Sequence, residues 1–195
     1  MKSRWITLAL CLLAVAALIF RLLPRGGSHP HSSTGPRASA GNVYTGLRNL
    51  VLEGNRANFG LGPGSSTTQP FAVVTDFGSA GGATTIVAVA DGSASVYLGD
   101  GGGFIGGGQS HASIRNAALK AVDLAAAAQP LMHATSQYPL ATPGQVTFYA
   151  VTDAGVFAAS VSQDDLAGNR GPYAALAAAA QSILTEYRRL PEPRH

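Results

Sequence analysis

The sequence predicts an α+β domain: a mostly antiparallel five-stranded sheet with three packed helices in the order α-βββ-α-ββ-α, preceded by one N-terminal transmembrane helix. Three observations predict it. Alternating apolar runs flank two hairpin signals, Asp91-Gly92 and Asp153-Ala154-Gly155. Three later segments carry apolar residues at three- and four-residue spacing. Sixteen residues from Trp5 to Phe20 contain Thr7 as their one polar side chain.

That first run continues past Arg21 through Leu22 and Leu23 to Pro24. Nineteen residues at ~1.5 Å each span roughly 28 Å, close to the apolar thickness of a bilayer. Trp5 suits one interface, and the Arg21 side chain can reach the headgroups at the other. Lys2 and Arg4 precede the run as in a secretory signal, but Ala38-Ser39-Ala40 lies too far beyond it for cleavage, and Ala14-Val15-Ala16 would cut through it. Residues 1–24 therefore read as a retained signal anchor, with the C-terminal domain outside the cytoplasm, since long domains translocate with little regard to charge. Residues 25–41, rich in Gly, Ser, Pro and His, read as a flexible spacer; His29 and His31 lack a third metal ligand there.

Residues 42–190 then form a single domain, with 191–195 as a tail. Asn42 caps a helix whose Val43, Tyr44, Leu47, Leu50 and Val51 make an apolar stripe ending before Gly54. Asn55 to Pro70 is a long loop. Phe71 to Phe77, Thr84 to Ala90 and Ala94 to Leu98 are three strands of a meander, followed by a glycine-rich segment from Gly99 to Gly108. Ser110 caps a helix from His111 to Gln129, with Ile114, Ala118, Val122 and Ala125 as its stripe and Pro130 as its stop. A polar link containing Pro139 and Pro143 leads to paired strands at Val146 to Thr152 and Val156 to Val161. Pro172 opens the last helix, whose stripe runs from Tyr173 through Leu176, Ala180 and Ile183 to Tyr187. This order is similar in topology to profilin-like and roadblock-like domains, which fixes no function.

The chain has 195 residues, 46% hydrophobic and 12% charged, with one Cys, which excludes a disordered tail protein and an intramolecular disulfide framework. Of its 13 Lys and Arg, six lie outside the stretch from Gly41 to Leu190, leaving seven against nine Asp and Glu. A slightly acidic domain lacks the electrostatic footprint of nucleic-acid binding.

No catalytic constellation is legible. There is no G-x-S-x-G, Cys11 lies in the apolar run, and the domain's two imidazoles, His111 and His133, stand without a recognisable partner. Asp164-Asp165 reads as a solvated turn, and Asp76, Asp91, Asp100 and Asp153 as residues near strand ends or turns. Gly101 to Gly106 matches G-x-G-x-x-G, but the helix after it leads to Pro130 rather than to a parallel strand ending in an acid, so no dinucleotide cofactor is expected. A smaller anion site remains as a candidate: backbone N–H groups of Gly106, Gly107 and Gly108 ahead of Ser110, with His111 and Arg115 adding positive charge. No metal and no cofactor are expected. The function expected is a membrane-anchored, non-catalytic binding or scaffold domain with a protein partner, a small ligand or a second copy of itself. The alternative is an envelope enzyme or small-anion sensor using residues 99–110 with His111 and Arg115.

The segment from Asp91 to Leu98, continued by Gly101-Gly102-Gly103-Phe104-Ile105-Gly106, resembles a pattern in uncharacterised bacterial proteins. In these a D-G-x-x-S-x-Y strand leads into a G-G-G-x-I-G turn and a helix. The similarity extends through Tyr138-Pro139-Leu140, Val146 to Tyr149 and Gly155-Val156, most of the domain from Phe71 to about Leu190. The resemblance implies one bacterial domain, brings no assigned activity and supplies no catalytic residue; the membrane segment stands outside it.

Overall fold

A computed structural model of the chain describes residues 40–99, 101–168 and 170–190. The anchor expected over residues 5–23, most of the spacer, and Asp100 lie outside them. Among the described residues no helix is long and apolar enough to cross a membrane.

The domain is α+β, built on one sheet of seven antiparallel-paired strands, two more than expected. The five long strands fall where the apolar runs and hairpin signals place them: β1 (Ala72–Ser79), β2 (Gly82–Val89), β3 (Ala94–Leu98), β6 (Gln145–Thr152) and β7 (Gly155–Ser162). The additions are three-residue edge strands, β4 (Gly103–Ile105) inside the glycine-rich segment and β5 (His133–Thr135) in the polar link. Each is too short to show a period and exists because a neighbouring strand offers it a ladder, β3 for β4 and β7 for β5. The order across the sheet is β4-β3-β2-β1-β6-β7-β5.

Both faces of the sheet are covered, so the long strands are apolar on both sides. On one face Val73, Ile86, Val96 and Phe148 pack against α2 (Ala112–Ala128) and α4 (Ala174–Arg188). These helices also pack on each other, and their buried residues include Ala118, Ala121, Ala125, Ala177 and Ala180, side chains small enough to allow close approach. On the other face Val74, Val87, Tyr97, Tyr149 and Val151 pack against α1 (Ala40–Leu52). A short helix, α3 (Gln163–Ala167), follows β7; its Asp165 N–H is capped by Ser162 Oγ at 3.1 Å.

Helix ends and faces differ in detail from the periodic reading. α1 begins at Ala40, so Asn42 lies inside it rather than at its cap. Its buried side chains are Tyr44, Arg48, Val51 and Leu52, while Val43 and Leu50 are exposed. The stripe is rotated toward an arginine that hydropathy alone assigns to solvent. At α2 the cap position is His111, not Ser110, and no side chain closes it. The long loop after α1 is tied down. Asn55 and Asn58 form a capping box, and Arg56 holds Asp153 at 2.5 Å and lies over the Phe71 ring at 5.2 Å.

β5 and β6 are both antiparallel to β7 and therefore parallel to each other. The chain leaves β5 at Thr135, level with Val156 and Val151, and re-enters the sheet at Gln145, six residues away along β6. Residues 136–144 are thus a crossover, an extended strap of roughly 20 Å along the face that α1 covers. Its far end passes so close to β1 that a Cβ on Gly78 would collide with the Thr142 carbonyl, and Gln163 Nε2 donates to Gly78 O at 2.8 Å. α1, the loop after it through Phe59 and Leu61, and the strap through Tyr138 together cover this face.

Within the described residues one buried side-chain oxygen lacks a hydrogen-bond partner, Thr75 Oγ1 on the α2/α4 face of β1. Thr75→Val keeps the shape and removes the desolvated hydroxyl. Chemical denaturation should show stability unchanged or raised by about 1 kcal/mol, whereas a loss of that size would mean the hydroxyl has a partner.

Candidate functional site

Asp76 is the third residue of β1 to point at α1, after Ala72 and Val74, and so faces a helix rather than a turn. It is 0% exposed and lies in the middle of the strand pairing, which corrects its reading as a strand-end residue. Arg48, 1% exposed, reaches it from α1: Nη2 to Oδ2 is 2.6 Å, and Nε lies 3.0 and 3.2 Å from the two carboxylate oxygens. This is the two-pronged arrangement that makes arginine the cation suited to buried carboxylates.

The remaining polar groups are arranged around the pair. Thr85 Oγ1 donates to Asp76 Oδ1 at 2.5 Å and meets the Tyr44 hydroxyl at 2.7 Å. Arg48 also donates to the strap, from Nη1 to Tyr138 O at 2.9 Å and from Nη2 to Pro139 O at 3.3 Å. Tyr149 donates to the same Pro139 carbonyl at 2.5 Å and lies with its ring 5.0 Å from the guanidinium, edge-on to Tyr138. One guanidinium therefore joins α1, β1 and the strap. Burial pushes the Asp76 carboxyl up from its ordinary value, and the contacts with Arg48 and Thr85 pull it back. Burial likewise raises the phenols of Tyr44 and Tyr149, so both remain neutral hydrogen-bonding groups at ordinary pH.

Beside this network, the strap and the β5-β7-β6 surface enclose an open groove of about 350 Å³. Its floor includes Ala158 and Ser160 on β7 with Thr147 on β6, and Thr147 Oγ1 and Ser160 Oγ lie 3.1 Å apart. Its rim carries His133, Thr135 and Gln137. The polar lining consists of hydroxyls, an amide and an imidazole, with no carboxylate and no arginine or lysine.

The glycine-rich segment is a packed corner. Tyr187 of α4 donates to Ala94 O at 2.6 Å, accepts from Gly107 N at 2.8 Å and stacks on Phe104 with centroids 4.9 Å apart. A Cβ on Gly108 would collide with the Gly92 carbonyl. Gly106 N donates to Ala94 O, and the amides of Ser110 and His111 donate to Gly107 O. Of the three N–H groups of the candidate anion site, those of Gly106 and Gly107 therefore face protein acceptors, as do the following amides of Ser110 and His111. Arg115 Nη1 donates to Asp91 O at 3.1 Å, and the Asp91 carboxylate accepts from Ser93 and Gln109 on the same corner. An anion here would have to displace those acceptors in the vicinity of a carboxylate.

His111 stands before α2 and His133 on β5, on separate elements. Among the described residues no three His, Cys, Asp or Glu side chains gather as a metal site. Asp164 and Asp165 fall in the first turn of α3, where Asp165 accepts from Ser162 Oγ at 2.8 Å. Arg48 carried a sequence signal that the periodic reading passed over: it lies four residues after Tyr44 and three before Val51, on the helix face that is buried. No family model matches the chain, and no curated protein or solved structure matches it either.

Removing Arg48 leaves the Asp76 carboxylate buried without its cation and with Thr85 as its remaining donor, leaves the Tyr138 carbonyl without its donor, and leaves the Pro139 carbonyl to Tyr149 alone. Arg48→Met should cost about 3–5 kcal/mol in denaturant unfolding. Its Asp76 carboxyl, held up by burial without the opposing cation, binds a proton more readily in the folded than in the unfolded state. The variant should therefore regain stability as pH falls from about 7 to about 4, more steeply than the wild type. In Arg48→Met with Asp76→Leu, a coupling energy of about 2–3 kcal/mol is expected; simple additivity would refute the pairing.

Proposed function

We propose that the chain is a membrane-tethered binding domain that performs no chemistry, with the groove between the strap and the β5-β7-β6 surface as its ligand site. The observation that carries this reading is the lining of that groove. It is concave, and it offers hydrogen-bonding groups from His133, Thr135 and Gln137 on its rim and from Thr147 and Ser160 beside Ala158 on its floor, with no carboxylate, arginine or lysine. Such a lining suits an uncharged polar segment of a protein or a small neutral molecule, for which hydroxyls and amides supply direction without the desolvation cost of an unpaired ion. The buried network behind the groove supports the same reading, because it fixes the strap that forms one wall and so limits the ordering that binding would require.

The tether in this proposal is the apolar run from Trp5 to Leu23, with residues 25–41 giving reach and the domain lying outside the cytoplasm. A reporter fused after His195 should then be active only on the outer side of the membrane. Activity on the cytoplasmic side would reverse the orientation and bring cytosolic ligands into consideration.

Binding at the groove is tested in cells by placing a benzophenone amino acid at Gln137 in the full chain. Irradiation should trap a partner, and Ser160→Trp, which fills the floor, should abolish the adduct while leaving the domain folded. An adduct equally strong when the probe sits at Lys120, an exposed residue of α2, would show that the groove is not the binding site.

A further inference from the structure

The sheet ends at β4, and among the described residues nothing pairs with the outer side of that strand. Its hydrogen bonds to β3 define which backbone groups face outward. Leu98 N donates to Gly102 O and Gly106 N to Ala94 O, with Val96 opposite Phe104 between them. In an antiparallel ladder alternate residues turn inward, so Phe104 directs its N–H and C=O at β3, and Gly103 and Ile105 direct theirs away from the sheet. The outward groups are thus two donor and acceptor sets placed symmetrically about Phe104.

That symmetry makes the edge complementary to itself. We infer that β4 pairs antiparallel with β4 of a second copy of this chain, about a two-fold axis at Phe104, joining two seven-stranded sheets into one. Gly103 of each copy then faces Ile105 of the other, and the two pairs exchange four backbone hydrogen bonds. The Ile105 side chain, 70% exposed in one copy, lies over a residue with no side chain in the other. Phe104, 41% exposed and stacked on Tyr187 on its inner side, meets its counterpart on the outer side. Of the devices that keep an edge single, residues 101–110 contain no Lys, no other charge and no Pro, and the shortness of β4 is the one they have. A two-fold pairing also closes on itself and does not propagate into a fibre.

Three paired residues make a short interface, so association depends on concentration and a covalent trap is the suitable readout. In the full chain carrying Cys11→Ser, which removes the native thiol, Phe104→Cys places two thiols at a directly opposed pair. Their Cα atoms would be about 4.5 Å apart, within disulfide range. Ile105→Cys places them diagonally, roughly 8 Å apart and out of range. Under a mild oxidant Phe104→Cys should give a linked dimer, Ile105→Cys about tenfold less, and adding Ile105→Lys to Phe104→Cys should lower the link by about tenfold. Equal yields from the two cysteine positions, or no link at Phe104→Cys, would overturn the inference. If Phe104→Cys fails to fold, sedimentation of the unmodified full chain against Ile105→Lys decides. A dimer lost in the variant supports the pairing, and a wild type that stays monomeric at every concentration refutes it.

Discussion

The contact on which the rest of this structure depends is the buried pair of Arg48 and Asp76. A sheet of seven strands has two faces to cover, and one of them is closed by two alanine-rich helices that pack on each other as well as on the sheet. The other face has one long helix, the loop after it with Phe59 and Leu61, and a strap with no regular secondary structure of its own. An extended segment of this kind cannot satisfy its backbone internally. The Arg48 guanidinium supplies the donors it needs at Tyr138 and Pro139, and Asp76 supplies the charge that lets the guanidinium be buried. Thr85, Tyr44 and Tyr149 complete the hydrogen bonding, so the desolvation that makes such pairs costly is offset at most of their polar atoms.

A buried ion pair is weak evidence for stability, since a well-packed apolar replacement often does as well. What the pair provides here is specificity of arrangement. It fixes the rotation of α1, which turns Val43 and Leu50 outward and Arg48 inward, and it fixes the height of the strap above β6. The groove beside the strap inherits its shape from that constraint. The opposite end of the sheet is organised by a different device, a tyrosine on α4 whose hydroxyl serves both β3 and the glycine corner and whose ring supports Phe104. Glycines there allow close backbone approach, and the loop they form is filled rather than open.

The sequence makes much of this legible where a period can accumulate. β1, β2, β3, β6 and β7 are runs of five to eight residues rich in β-branched and aromatic side chains and bounded by turn residues, and α2 and α4 repeat their apolar stripes over four turns, so their existence follows from composition, turn signals and spacing. β4 and β5 do not, because three residues hold no period and Gly101 to Gly103 suggest a loop until a partner strand is in place. The ion pair is hidden for a related reason. Arg48 and Asp76 are 28 positions apart, and each has an ordinary local explanation, one as a solvated helix residue and the other as a turn residue. Only the coincidence of Arg48 with the buried stripe of α1, and of Asp76 with Ala72 and Val74 on one face of β1, marks them as partners. The groove is less legible still, since its walls come from β5, β6, β7 and a strap whose course no local pattern encodes.

α1, β1 and the strap form one mechanical unit because one guanidinium joins them. Native-state hydrogen exchange tests this most directly, comparing the opening free energy of amides in α1 with that of the Gln137 amide, which joins the strap to the end of β5 by donating to Thr135 Oγ1. If Arg48 joins the elements, these amides open together, with matching free energies and matching denaturant dependence. A Gln137 amide that exchanges through a separate, much lower-energy opening while α1 stays protected would contradict the claim, because the strap would then detach without disturbing the helix that is supposed to hold it.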